Sequence, residues 1–231
     1  TINRYINVMK KLQKAIPDFY GKEDITFHEL NSDFIATFDL FLKTEAGLCR
    51  NTIVRYMKCF KRITNMALAK EWMRKDPFYG YKMAQDETDP VFLTYPELKS
   101  IMEKEFTIPR LALVRDIFVF AAFTGLAFAN VSTLTKDNLV QDNNGDWWIR
   151  KGRVKLERRH RASSVCNIPL LPVPLAILKK YEEHPICRKK SLCLPVICNQ
   201  RMNSYLKEIA DLCNIRKNLT THTAKHSKIY I

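Results

Sequence analysis

The stretch Thr220-Thr221-His222-Thr223-Ala224-Lys225-His226-Ser227-Lys228-Ile229-Tyr230-Ile231 carries more information than any other part of this 231-residue chain. Two threonines able to cap a helix precede His-x-x-Lys-His. On a helix, residues three and four apart share a face, so His222, Lys225 and His226 line up there. Two histidines four apart can also suggest zinc, but no Glu stands between them and no third ligand is evident. No metal is therefore expected.

Outward from this stretch, charge is the strongest compositional signal. The formal net charge is +14, which implies attraction to a polyanion, most economically nucleic acid, and says nothing about fold. No apolar run reaches the roughly 18 residues of a membrane span, and no signal peptide opens the chain, so no membrane partner is expected and the cytoplasm is the expected compartment. The absence of an initiator Met suggests a fragment. Seven cysteines without a C-x-x-C pair point to reduced thiols and not to a disulfide framework. Cys187, Cys193 and Cys198 cluster loosely but lack the short paired spacing of a zinc site.

Three helices are expected in the first third. Ile2, Tyr5, Ile6, Met9, Leu12 and Ile16 recur at helical spacing. Asn31 or Ser32 can cap a second helix with Phe34, Ile35, Phe38, Phe41 and Leu42 inward. Asn51 can cap a third, running to about Trp72, with Ile53, Met57, Phe60, Ile63 and Ala67 inward. Between Arg50 and Lys82 nine basic residues face only Glu71 and Asp76. Arg55, Lys58, Lys61 and Arg62 lie off the apolar stripe, on a face that is either simply solvated or available to phosphates.

Asp76-Pro77 ends the helical region, and 85–90 reads as an acidic, polar linker between a helical domain at 1–84 and a second domain at 91–231. Thr94-x-x-Glu97 is a capping box. The run from Leu111 to Phe123, after Pro109, is apolar enough to be buried almost all round. Beyond Gly125, Asn143-Asn144-Gly145-Asp146 reads as a turn, with strands at 147–150 and 165–168 flanking a basic loop. Helices are expected over Pro174–Tyr181 and Met202–Cys213. The fold class is therefore mainly α with one small antiparallel sheet: a helical domain followed by an α+β domain.

Five phrases together resemble the tyrosine recombinases, the phage-integrase family, in the branch found in conjugative transposons and related mobile elements. They are Phe123-Thr124-Gly125-Leu126, Trp148-Ile149-Arg150, Asn167-Ile168-Pro169-Leu170-Leu171, Asn203-x-Tyr205-Leu206-Lys207 and Thr221-His222-x-x-Lys225-His226. The resemblance implies a SAM-like core-binding domain at 1–84 and a catalytic domain at 91–231, clamping double-stranded DNA. It also implies further recombinase protomers on the DNA, in a tetrameric synapse. In that family a Tyr oxygen attacks a DNA phosphorus to give a 3′-phosphotyrosyl link. Two Arg hold the non-bridging oxygens, a Lys protonates the leaving 5′-oxygen, and His residues assist. No cofactor is needed, because the covalent intermediate stores the bond energy.

Transferred to this sequence, the resemblance puts His222 and Lys225 in the phosphate-holding box, where Lys225 replaces the second Arg. Lysine keeps the charge but loses the planar fork. Ala127 occupies the place of the first Arg. Lys155 falls where the general-acid lysine is expected, with Lys151 and Arg153 as rivals. Arg150, Arg153, Arg158 and Arg159 in the hairpin, and Arg50, Arg55, Lys58, Lys61 and Arg62 in the first domain, are candidate DNA contacts. In the family a further segment with a Gly-His pair and the nucleophilic Tyr follows the box. Here five residues follow His226, with Tyr230 as the nucleophile candidate, so a C-terminally truncated chain is expected. Two functions stay open: a site-specific recombinase, or a DNA-binding remnant without catalysis. RNA binding is a third class, for which aromatic stacking motifs are absent.

Overall fold

The structure is a computed structural model that describes residues 2–152 and 165–227. Its contacts divide the chain into two compact units, Thr1–Thr88 and Asp89–Ile231.

The first unit packs three helices: α1 (Ile2–Tyr20), α2 (Ser32–Lys43) and α3 (Arg50–Ala69). Asn31 caps α2, its side-chain oxygen accepting the Phe34 N–H at 2.9 Å. All five apolar residues expected to face inward on α2 are buried. Phe38 meets Phe60 of α3 edge-on, and Phe60 in turn meets Phe78 beyond α3, at 5.7 and 5.6 Å between centroids, a preferred geometry for aromatic pairs.

Two expectations need correcting. On α1 the buried residues are Val8, Ala15 and Ile16, while Ile2, Ile6 and Met9 stay exposed. At 3.6 residues per turn, the true stripe through Val8, Leu12 and Ala15 lies roughly a quarter turn from the expected one. The third helix ends at Ala69 and is capped by Cys49, not Asn51. Asn51 reaches instead to the far end of the unit: its amide donates to the Asp86 carbonyl at 3.0 Å and accepts the Asp86 N–H at 2.9 Å.

In the second unit, α4 (Tyr95–Glu103) opens on the capping box, the Thr94 N–H donating to Glu97 Oε2 at 2.7 Å. Burial raises the Glu97 carboxyl, but hydrogen bonds from Lys217 Nζ, the Thr94 N–H and the Thr94 hydroxyl outweigh it and hold the pKa below its ordinary value. The contribution of that ion to stability is complete above 4.5 and is lost as pH falls through the depressed folded value.

The centre of the unit is α5 (Pro109–Thr124), buried from Asp116 to Ala122 without a break. Gly125, at φ +64°, ends it in the left-handed conformation glycine adopts freely. Around α5 pack α4 and three later helices. The chain then runs through α6 (Phe128–Val131) to β1 (Leu139–Gln141), β2 (Trp147–Gly152) and β3 (Val165–Pro169), an antiparallel sheet in that order. Leu139, Ile149 and Ile168 stand in register, and Ile149 is fully buried. There follow α7 (Pro172–Tyr181), α8 (Pro185–Lys190), α9 (Asn199–Leu212) and α10 (Thr221–His226). The elements α6, β1 and α8 are too short to show a periodicity and were not expected.

Buried Asp116 ties α5 to α7. It accepts from Arg115 Nε at 2.8 Å, Lys180 Nζ at 2.7 Å and the Tyr181 hydroxyl at 2.8 Å. Burial, then the bond to Asp116, pushes the Tyr181 phenol well above its usual range. Replacing Asp116 by Ala strands the buried hydroxyl, and we expect a loss of about 1–3 kcal/mol in urea unfolding of the whole chain. An unchanged midpoint would refute the structural role of this network.

Candidate functional site

The last described helix, α10, is short, and its position depends on anchors outside it. Thr220 and Thr223 cap it reciprocally: the Thr220 hydroxyl oxygen accepts the Thr223 N–H at 3.3 Å, and Thr223 Oγ1 accepts the Thr220 N–H at 3.1 Å. From α9, Asn203 Oδ1 accepts the Thr221 N–H at 2.9 Å and Asn199 Oδ1 accepts the Thr221 hydroxyl at 2.8 Å. At the other end, the buried Ser227 hydroxyl donates to the Thr223 carbonyl at 2.8 Å and accepts the Leu93 N–H at 2.7 Å. Thr223, Ala224 and Ser227 are buried and form the face turned inward.

The residues left over are the chemically useful ones. His222, Lys225 and His226 are all exposed. The two imidazoles meet edge-on, ring centroids 4.5 Å apart and planes at 83°, with Nε2 to Nε2 at 2.9 Å. At that distance one ring nitrogen donates to the other, the roles being set by the tautomer. The arrangement sets an ammonium beside two imidazoles on one exposed helix face, a cluster suited to a phosphate oxyanion.

The other expected site residues fall into three groups. Arg153, Lys155, Arg158, Arg159 and Tyr230 lie outside the described residues. Arg55, Lys58 and Arg62 are exposed and, at i, i+3 and i+7, share one face of α3; Arg55 donates to the Asn51 carbonyl at 3.4 Å and to Thr52 Oγ1 at 3.3 Å, and Lys58 to Gln85 Oε1 at 3.3 Å. Arg150 is exposed on β2.

The third group is partly buried as well as engaged within the protein. Arg50 spends its guanidinium on Asp39 at 3.1 Å and on the carbonyls of Lys82 and Ala84 at 3.2 and 3.3 Å. Asp39 also accepts from Tyr81, whose phenol is pushed up to about 12 by burial and then by that bond. Lys61, half-buried, lies 3.7 Å from Asp76 and over the Phe78 ring. Lys151 donates to the Thr133 carbonyl at 2.6 Å and to Asn138 Oδ1 at 2.9 Å, tying β2 to the turn before β1. Ala127 is the N-cap of α6.

Asn199 and Asn203 are the functional residues that the sequence did not single out by role. Their signal was present: two asparagines four apart, on one face of α9, one of them within a phrase that carries the resemblance. Removing the Asn203 carbonyl should loosen only α10. In the Asn203→Ala variant we expect amide exchange across 221–226 to quicken by about tenfold, the equivalent of one ordinary hydrogen bond, with α5 unchanged. Exchange at the wild-type rate would contradict the anchoring role.

Residues 1–83 match the phage integrase SAM-like domain, and no curated protein sequence matches the chain. The fold is similar to that of the XerH site-specific recombinase bound to palindromic difH substrate in a post-cleavage complex, at 17% identity and TM-score 0.67, covering 98% of this chain and 67% of that one. It is similar to a lambda integrase (75–356) dimer bound to a COC′ core site, at 15% identity and TM-score 0.71, covering 96% and 76%. It is also similar to the Tn1549 transposon integrase (82–397) in complex with circular intermediate DNA, at 16% identity and TM-score 0.65, covering 95% and 84%. These findings bear out the expected resemblance: the chain has the mainly α tyrosine-recombinase fold, with its small antiparallel sheet and an integrase-type SAM-like domain at the front.

Proposed function

We propose that this protein, with its tyrosine-recombinase fold, is a site-specific recombinase of the integrase type that binds double-stranded DNA through phosphate contacts. The observation that carries this reading is α10: anchored on its buried side, it leaves His222, Lys225 and His226 together in solvent. Residues 1–84 serve as the core-binding domain, 85–90 as linker and 91–231 as the catalytic domain. The α3 face of Arg55, Lys58 and Arg62, together with Arg150, Arg153, Arg158 and Arg159, supplies further cations. Arg50 and Lys61 hold the first unit together instead. The seven cysteines, all free, suit a reducing cytoplasm. No helix among the described residues is long and apolar enough to cross a membrane. As in the lambda integrase dimer bound to a COC′ core site, further protomers would share the DNA.

In the reaction this chemistry supports, a tyrosine oxygen (Tyr230 is the candidate) attacks the phosphorus, and the P–O5′ bond breaks. Lys155 gives its proton to the leaving 5′-oxygen, while His222 and Lys225 hold the non-bridging oxygens. No metal or nucleotide enters, since the phosphotyrosyl bond conserves the energy for the reverse transfer.

Binding by phosphate contacts releases counterions, so affinity for duplex DNA must fall steeply as salt rises. Lys225→Ala should weaken binding and reduce the magnitude of the log–log salt slope by about 1. Lys225→Arg, restoring a fork, should strengthen it. Salt-independent affinity, or none, would sink the proposal.

Lys225 in place of Arg, with Ala127 at the position of the other, favours a second reading: DNA binding without strand transfer. A nicked duplex that traps the covalent adduct separates the two. An adduct abolished by Tyr230→Phe establishes the recombinase, and tight binding with no adduct establishes the binder.

A further inference from the structure

We infer that the segment 82–86 is an autoinhibitory strap, docked on the cationic face of α3 and displaced when duplex DNA takes its place. The masking rests on the proposed function, and the docking itself does not. Arg50 donates to the Lys82 and Ala84 carbonyls at 3.2 and 3.3 Å. Lys58 Nζ donates to Gln85 Oε1 at 3.3 Å. The Asn51 amide takes both main-chain groups of Asp86, its carbonyl at 3.0 Å and its N–H at 2.9 Å.

Asn51, Arg55, Lys58 and Arg62 are spaced i, i+4, i+7 and i+11, so all four lie along one side of α3. The strap therefore crosses the surface on which the first unit's candidate DNA contacts stand. Gln85 gives Lys58 a neutral oxygen where a phosphate oxygen would bind. Next to it come the carboxylates of Asp86 and Glu87. Asp86 is fixed by Asn51, one turn from Arg55, and exposed charges act on one another across a screening length of about 8–10 Å. Anions held there oppose the approach of a phosphate backbone. The segment's own cation, Lys82, enters at the other end, beside Arg50.

The attachment suits release. Tyr81 and Met83 pack on the core of the first unit, but residues 84–88 are all exposed. An exposed hydrogen bond exchanges with water at little net cost. A lysine bonds more strongly to an anionic oxygen than to a neutral amide oxygen. Duplex DNA brings several phosphates at once, and the counterions they release drive the exchange. Arg50 keeps its bond to Asp39, so the unit stays folded when the strap leaves.

Hydrogen exchange and duplex DNA binding, both on the full chain, test this. In Asn51→Ala the Asp86 amide should exchange about tenfold faster, the equivalent of one ordinary hydrogen bond. Duplex affinity should rise about threefold in the same variant, the scale of an exposed charge contact. Adding duplex DNA to the wild type should also quicken exchange at the Asp86 amide, whereas a segment that merely lined the contact would be protected. Gln85→Ala should tighten binding in the wild type and have no effect beside Lys58→Ala. Asp86→Asn with Glu87→Gln should tighten binding more in the wild type than in Asn51→Ala, where the segment is already loose. Should Asn51→Ala fail to fold, Gln85→Ala and the carboxylate pair carry the test. Unchanged or weaker binding in these variants, or protection of the Asp86 amide by DNA, overturns the strap alone. Wild type and variants alike without duplex affinity overturn the proposed function with it.

Discussion

A helix without a solvent-facing side must be covered from every direction, and α5 imposes that demand on the second unit. Its residues are buried without a break from Asp116 to Ala122, so α4, α7, α9 and α10 are drawn onto it from different parts of the chain. The one charged group on this stretch, Asp116, is tolerated because three donors reach it. The position of α10, and hence of His222, Lys225 and His226, follows from that packing requirement.

Too short to be stable by itself, α10 divides its residues strictly. Thr220, Thr221, Thr223, Ala224 and Ser227 go to caps, to α9 and to the core. The histidines and Lys225 stay outside. The anchors come from places remote in sequence: Asn199 and Asn203 on α9, and Leu93 at the entry to the unit. Rigid placement of a short, polar helix is what a phosphate-holding site requires, because binding then costs little reorganisation.

Basic residues of one kind meet different fates within a few positions. Arg50 is consumed by Asp39 and two carbonyls, while Arg55, five residues further on, is exposed and bonds locally to Asn51 and Thr52. Lys151 is fastened beneath the sheet while Arg150, its neighbour on the opposite face, is exposed. The net charge of +14 therefore overstates the charge available to a polyanion. Part of it is structural, spent where backbone carbonyls need donors.

Local rules were enough for much of this architecture. The α2 stripe, the Thr94–Glu97 box, the unbroken burial of α5, its glycine stop and the caps on α10 are all set by neighbours within one or two turns, so they are legible in the residues alone. The box His222-x-x-Lys225-His226 is legible for the same reason. Tertiary structure decided what depends on distant partners. It rotated the buried stripe of α1, because the choice of inward face belongs to α2 and α3. It turned Asn51 from a cap into a clamp on Asp86, 35 residues away. It removed Arg50 and Lys61 from the exposed set, enlisted Asn199 and Asn203, and closed two imidazole nitrogens to 2.9 Å. Helical periodicity places two side chains on one face, and only packing and side-chain torsions decide whether their atoms meet.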